Sequence, residues 1–462
     1  MSRHSSEQSV FTLEAEDHRS ARDRRTWLTV KAGLASKASQ MLVRFLSVPL
    51  TISILGNEKY GLWLAVGSIV SWFGLSNFGV TSGLLNLLAG ASAKDDKRYM
   101  KRLVSSSLAL FLMLAALVAI TVLVMNRSDY LERVLGLQTN SPLRWDSHQA
   151  FVISGLFFAL TLALSPIQSA CSALQEGYLI TYGLTAANLL SLGFLYVLKL
   201  SGEHSLKSFA LTQTAPTVCA TAALGVYYLG FHQRYLRPAV RDVKRSAFAD
   251  LGSPSILICA SQVSDIVIHY STNIIIAHGL GPGQVPRYAV PYSLFMFIQS
   301  VLYGTLQPLW AAYAEANVRN DWHWILKRFL KSIYLCVGLT SATGIGLILL
   351  GPAIIKLWAG RQAVPSRNLL TALAAYFAIW IAGAAVDVLV CGLGYFQLRL
   401  VVNTIAGIIF LVGSLLLTPR IGLLAAPVAG MASGAFSIAV FATRIRRRSV
   451  SEHNAQIDSL VC

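Results

Sequence analysis

Twelve mostly apolar runs of about 20 to 30 residues divide this 462-residue chain, and such runs are long enough to span the hydrocarbon core of a bilayer. They cover Leu28–Leu55, Gly61–Gly90, Leu103–Asn126, His148–Ala173, Tyr178–Leu200, Ser208–Phe231, Leu251–Gly279, Tyr288–Tyr313, Phe329–Pro352, Asn368–Gly392, Tyr395–Thr418 and Gly422–Thr443. Lipid supplies no hydrogen bonds to the backbone, so only helices or a closed barrel can cross it. The runs are continuous and lack the two-residue alternation of barrel strands. Only 13% of the residues are charged while 55% are hydrophobic; a soluble chain carries about 25% charged residues. The fold class that follows is an all-α polytopic membrane protein.

The loops decide orientation, because Lys and Arg concentrate on the cytoplasmic side. With the N-terminus inside, cytoplasmic segments carry 24 of the 38 basic residues and outer segments carry 11; Lys37, Arg44 and Arg399 fall within runs. Both termini are therefore expected in the cytoplasm. The net charge of +17 is placed against anionic lipid, and no nucleic-acid partner is needed to explain it. The first 26 residues contain neither the short apolar region nor the small-residue cleavage site of a signal peptide, so the first helix is expected to be retained. The six cysteines are scattered without a CxxC pair, which argues against a disulfide framework or a zinc site.

The chain repeats itself. LGNEKYG at Leu55–Gly61 and LGPGQVPRY at Leu280–Tyr288 both put Leu-Gly before a polar interruption and a new apolar run, at an offset of 225. LERVLG, ending at Gly136, is echoed by IIKLWAG, ending at Gly360, at 224. EGYLITYGLTAAN at Glu176–Asn188 resembles LGYFQLRLVVN at Leu393–Asn403, with tyrosines 217 apart. Such spacing predicts two parallel-related six-helix bundles around a central cavity, an arrangement that transporters use. The expected organisation is a polar cytoplasmic N-tail over 1–27, bundles over 28–231 and 251–443, a basic cytoplasmic linker over 232–250 and a C-tail over 444–462.

Polar residues inside the runs mark the candidate site, since a charge at membrane depth costs about 2.5–3.5 kcal/mol on insertion scales and is kept for function or pairing. Lys37 and Arg44 are seven residues apart and share a face of the first helix with Ser36, Ser39, Gln40 and Ser47. Two stacked cations suit a phosphate, held bidentately by Arg and as a point charge by Lys; a snorkelling Lys37 and a structural ion pair at Arg44 are the alternatives. The seventh run presents Gln262, Asp265 and His269 on one face. His269 lies eleven residues before Leu280, as Arg44 lies eleven before Leu55, so the two are pseudo-equivalent. Asp265 or His269 could couple transport to protons, or form a packing pair. Asp387 stands alone in the tenth run as a cation carrier, a counter-ion to Arg44 or a structural partner. Arg399 reads as an anchor snorkelling to the cytoplasmic interface. Asn77, Asn86, Asn188, Asn273 and Asn403 read as helix–helix hydrogen-bond formers, with ligand contacts the alternative.

No GxSxG, Walker loop or HExxH is present, and His and Cys are not clustered at ligand spacing. No cofactor is expected, and transport would run on an H+, Na+ or substrate gradient. The stretch LGNEKYGLWLAVGSIVSWFGLSNFGVTSGLLNLLAG at Leu55–Gly90, QPLWAAYAEA at Gln307–Ala316 and IIKLWAG at Ile354–Gly360 resemble segments of the polysaccharide flippases of the multidrug/oligosaccharidyl-lipid/polysaccharide exporter superfamily. The resemblance implies a flippase in the bacterial inner membrane that moves undecaprenyl-diphosphate-linked oligosaccharide repeat units outward by alternating access. Lys37 and Arg44 match the cationic cavity such proteins tend to have, whereas the 26-residue N-tail is long for the family. Expected partners are the lipid-linked oligosaccharide, membrane lipid and polysaccharide polymerase or assembly proteins. An ion-coupled drug or metabolite antiporter of the same superfamily is the competing reading, and a membrane polymerase or ligase is a third.

Overall fold

The computed structural model describes residues 39–461 apart from 41, 44, 78, 139, 140, 253 and 254; it leaves aside the side chains of 245, 249, 252–262, 264, 265 and those beyond 446. Every regular element among the described residues is helical. The long helices are α1 (residues 45–72), α2 (Val80–Ala93), α3 (Lys97–Arg127), α4 (Leu143–Ala173), α5 (Gly177–Leu200), α6 (Leu206–Tyr227), α7 (Ser255–Leu280), α8 (Val285–Val318), α9 (Trp322–Ala359), α10 (Arg367–Gly392), α11 (Phe396–Ile421) and α12 (Ala425–Val461).

Each apolar run of the sequence is overlain by a helix, the first only over its described part. Eight helical stretches are long and apolar enough to cross a bilayer by themselves, or nine when α1 and α2 are taken as one span bent by 42°. The stretch Phe396–Arg446 counts once although it holds two runs, broken at Gly422. The bend between α1 and α2 falls at LSNFG, where Phe73–Asn77 forms a 3-10 turn and Gly79 is left-handed (φ +69°). Asn77 caps the restart: its amide donates to Thr81 Oγ1 (2.9 Å) and its carbonyl accepts from the Thr81 backbone N–H. Asn77 therefore serves its own segment, not a neighbouring helix. Asn273 does bridge helices, donating to Ser68 Oγ at 3.1 Å. Along α3, Leu112, Met113, Leu117, Ile120 and Val124 are all exposed. An apolar face of that length belongs against lipid, and the protein is a multi-pass membrane protein.

The internal repeat is written in the backbone. Of the eleven described residues with positive φ, ten form pairs at nearly constant separation. These pairs are Gly56 with Gly281, Asp95 with Asn320, Gly136 with Gly360, Gln175 with Gly394, and Gly202 with Gly422. Asp95 and Asn320 carry side chains that make a left-handed conformation costly, although Asp and Asn tolerate it best. Each follows the end of a helix, and each precedes an Asp that starts the next one. Asp96 accepts from the Tyr99 N–H (2.9 Å) and Asp321 from the Trp324 N–H (3.0 Å), the N-cap geometry that satisfies otherwise orphaned donors. The turns beyond α4 and α10 also match, with Glu176 N–H bonded to Cys171 O and Tyr395 N–H to Val390 O. This aligns Glu176 with Tyr395 and corrects the register read from the sequence, which paired Tyr178 with Tyr395. The unpaired left-handed residue is Gly79, so the bend between α1 and α2 belongs to the first half alone.

By backbone proximity the described chain falls into two compact units. One comprises the described residues up to Ile54, Phe73–Ser128 and His148–Cys259; the other comprises Leu55–Trp72, Asp129–Ser147 and the chain from Ala260 onward. In the first unit Phe73 packs on Phe151 and Phe158, with ring centroids 6.5 and 6.4 Å apart. Its basic linker is strapped down. Glu176, 1% exposed, accepts from the Tyr228 hydroxyl (2.7 Å) and faces His232 Nε2 (3.0 Å), fixing the π turn Tyr228–His232. Further along, the Ala239 and Lys244 N–H groups donate to Ser105 and Ser106 of α3, and Lys101 pairs with Asp242 at 3.0 Å. The Lys101 ammonium holds the Asp242 carboxyl below its ordinary pKa. Folding thus lowers this pKa, so the pair stabilises the docked linker above about pH 3.8 and ceases to do so as pH falls through the lowered value. Lys101→Ala is expected to speed amide exchange over residues 239–244 at pH 7; unchanged exchange would mean that the ion pair does not hold the linker.

In the second unit, Leu306, Tyr313, Ile381, Leu389 and Phe441 form the centre of one apolar cluster. The two Leu-Gly interruptions of the sequence meet here. A Cβ at Gly61 would overlap the Pro282 carbonyl oxygen, and one at Gly283 would touch Glu58 Cγ at 3.5 Å. Lys59 pairs with Asp146 at 2.8 Å. The stretch LGNEKYG is thus a packing joint, with Tyr60 buried and Lys59 paired. Gly61→Ala is expected to lose about 1–3 kcal/mol to overpacking. Gly67→Ala, whose Cβ meets nothing within 4 Å, should lose none. Thermal unfolding of the two purified variants checks the contrast.

Candidate functional site

Polar side chains gather at one place in the second unit, a cavity of about 180 Å³ among α7, α8, α10, α11 and α12. The apolar periodicity of these helices would seal such a space with Leu and Ile. Small residues leave it open. Gly430 and Gly434 of α12 stand where side chains would run into Tyr376 and Ile379 of α10, so the two helices pack closely along one edge and the cavity lies beside that seam.

The charged element is an ion pair. Arg399 Nε donates to Asp387 Oδ1 at 2.7 Å, with the side chains 25% and 19% exposed. Asp387 lies near the end of α10 and Arg399 near the start of α11, six residues to either side of Leu393 in the tight turn Gly392–Tyr395. The turn folds the two helices back on each other and brings the charges to the same depth. Pairing offsets the cost of holding each charge away from water. Removing one partner strands the other, and that is what would be expensive.

The cavity also has an aromatic side. Trp380 packs with Tyr303 (ring centroids 6.0 Å) and edge-on with His269 (6.4 Å). His269 Nδ1 meets the Tyr292 hydroxyl at 3.2 Å. Behind them Phe295 stacks on Phe377 at 5.3 Å, fixing the α10 face from which Trp380 projects. Asn403 also lines the cavity, and its amide has no hydrogen-bond partner among the described residues.

Of the residues singled out in the sequence, the structure brings His269 and Asp387 to this one cavity. Lys37 and Arg44 lie outside the described residues. Gln262 and Asp265 lie on α7, with side chains outside the described set. Arg399, read as an interfacial anchor, is instead the partner of Asp387. Trp380 and Tyr303 carried no sequence signal, since aromatic residues are common in membrane helices; Asn403, read as a helix–helix hydrogen-bond former, lines the cavity instead. Arg399 did carry one: opposite charges placed symmetrically about a tight turn must meet if the helices pack.

No protein-family model matches the chain. A Salmonella typhi protein named "Putative O-antigen transporter" is 23% identical over 283 residues, covering 61% of this chain and 63% of that protein. A Salmonella typhimurium protein of the same name is 24% identical over 304 residues, covering 63% and 66%. The chain thus matches just under two thirds of the length of these curated relatives. Among solved structures, an inward-facing multidrug resistance transporter of the MATE family in the MOP superfamily aligns with a TM-score of 0.75 at 15% identity, over 88% of this chain and 95% of that one. The lipid II flippase MurJ, in an inward closed conformation, aligns with a TM-score of 0.64 at 12% identity, over 91% and 87%. The fold is that of MOP superfamily transporters, the superfamily that the sequence resembles, and the proteins it matches are transporters and flippases, not enzymes.

Breaking half of the ion pair should do more harm than exchanging it. Asp387→Ala or Arg399→Ala is expected to lower thermal stability by about 3 kcal/mol or somewhat less, given the partial exposure of both groups. The exchanged pair Asp387→Arg with Arg399→Asp should recover most of that loss. A double variant no better than either single one would show that the two charges are not coupled.

Proposed function

We propose that this protein is a flippase that moves undecaprenyl-diphosphate-linked oligosaccharide repeat units across the bacterial inner membrane by alternating access, for surface polysaccharide assembly. The observation that carries this reading is a polar, aromatic-sided cavity at membrane depth inside a helical bundle whose outer faces are apolar. Such a site lets a hydrophilic group enter a lipid-embedded protein while a hydrocarbon tail stays in lipid. The O-antigen names of the curated relatives and the lipid-flippase neighbour point the same way.

In this reading Lys37 and Arg44 hold the diphosphate, Arg44 as a bidentate donor and Lys37 as a point charge. Asp265, His269 and Asp387 are the groups through which H+ or Na+ could drive the cycle. Both termini lie in the cytoplasm in this reading, which the excess of Lys and Arg in alternate loops supports. A polysaccharide polymerase would receive the flipped lipid on the outer face. The drug-antiporter reading has one observation in its favour, the alignment with a multidrug transporter. Against it, the curated relatives carry O-antigen names.

A deletion strain is expected to accumulate lipid-linked oligosaccharide in the inner leaflet and to lose surface polysaccharide, both restored by the wild-type gene. Arg44→Ala at native expression should restore less than about a tenth of the polymer, as expected when a charge-assisted phosphate contact worth about 1.5–3 kcal/mol is lost. Full restoration by that variant would remove the phosphate role. A deletion strain with normal polymer and impaired ethidium efflux would favour the antiporter.

A further inference from the structure

We infer that the cavity between α7, α8, α10, α11 and α12 is a binding site for a single uncharged sugar ring. The inference rests on the flippase reading and adds to it the group that the second unit recognises. Three properties of the cavity select that chemistry.

The first is charge. Asp387 and Arg399 sit within 2.7 Å of each other, so their charges cancel. A bare cation could take the Asp387 carboxylate only after Arg399 lets it go. A phosphate would meet Arg399 already engaged and an acidic group beside it. The described lining is therefore rich in hydrogen-bonding atoms and poor in net charge, which suits a neutral polar ligand.

The second is the arrangement of donors and acceptors. Asp387 Oδ2 has no partner among the described residues and is an acceptor; the Asn403 amide, also without one, offers both donors and an acceptor. Each hydroxyl of a polyol both donates and accepts. Adjacent hydroxyls on a ring can bridge such a carboxylate and amide together, leaving no polar group of the pocket unpaired once the ring is bound.

The third is the aromatic surface. Trp380 lies two turns before Asp387 on the same face of α10, and with Tyr303 and His269 beside it lines the cavity next to the polar groups. A pyranose is amphipathic in this sense, with hydroxyls at its rim and C–H groups on its faces. Its faces pack on an aromatic ring while its rim meets the polar side. The volume, about 180 Å³, corresponds to about six waters at roughly 30 Å³ each, room for one ring and not for a chain of them. The pocket would therefore read one residue of the oligosaccharide and leave the others outside it. The first half has no counterpart: in the aligned turns, Asp387 and Arg399 correspond to Gln168 and Ile180.

The test is calorimetric titration of the full-length protein in nanodiscs with two probes, the repeat-unit oligosaccharide released from the host's own surface polysaccharide and undecaprenyl diphosphate without sugar. Wild type should bind both. Trp380→Ala should weaken the oligosaccharide about tenfold or more, Trp380→Phe much less, and Asn403→Ala about three- to tenfold. Binding of undecaprenyl diphosphate should be unchanged in all three. Asn403→Ala breaks no hydrogen bond among the described residues, so it reports on the site even where the tryptophan variant folds poorly. Unchanged oligosaccharide affinity in both Trp380→Ala and Asn403→Ala overturns the assignment. So does an equal loss of both probes. If wild type takes undecaprenyl diphosphate but no oligosaccharide, the sugar site falls and the flippase reading stands; if it takes neither, both fall.

Discussion

Lipid gives the backbone nothing to hydrogen-bond with, and the rest of this molecule is arranged around that constraint. Every N–H and C=O that crosses the hydrocarbon must be satisfied within its own helix, so the chain is helical wherever it is apolar. The breaks come where the sequence supplies an alternative partner. Asp96 and Asp321 cap restarting helices, Asn77 caps α2, and left-handed residues close the turns. Side chains answer to the same solvent. Leu112, Met113 and Leu117 face outward on α3, whereas Asp387 and Arg399 turn toward each other.

Two halves built under one constraint have kept the same turns and diverged in their contents. Ten positive-φ residues fall into five pairs, yet the first half alone bends at Gly79 and the second alone carries the Asp387–Arg399 pair. Turn geometry is demanding of backbone, and little else meets it. Helix interiors tolerate substitution as long as the lipid face stays apolar and the inner face packs. Divergence within the interiors would let the two halves take different parts of one ligand, as the proposed function asks of Lys37 with Arg44 and the further inference asks of the cavity beside Trp380.

The cavity also shows why net charge and charged residues are different quantities in a membrane protein. The chain as a whole is strongly basic, with the excess in its loops. Among the described residues lining the cavity of the second unit, Arg399 and Asp387 are matched to each other. A matched pair can lie beside a polar ligand without forcing that ligand to carry charge, and it orients both groups through one short hydrogen bond. Phe295 and Phe377, stacked behind Trp380, hold the aromatic wall by packing alone.

Much of this was legible in the residues. Run length and the scarcity of charge determined a helical membrane protein, because the bilayer thickness admits few other solutions. The Leu-Gly interruptions and the LERVLG and IIKLWAG segments disclosed the repeat, and the structure places left-handed glycines at those offsets. The third match was misread by two residues, since Tyr is common in such turns and the hydrogen bonds that define the register belong to the backbone. His269 and Asp387 were identifiable as polar intrusions in apolar runs. What joins them was decided by tertiary structure alone. Arg399 looked like an anchor because its sequence neighbours place it near an interface, Asn403 looked like a helix–helix hydrogen-bond former, and Trp380 and Tyr303 looked like ordinary membrane residues. A charge announces itself in an apolar run, whereas an aromatic ring or an amide becomes a site only when helix packing leaves a space in front of it.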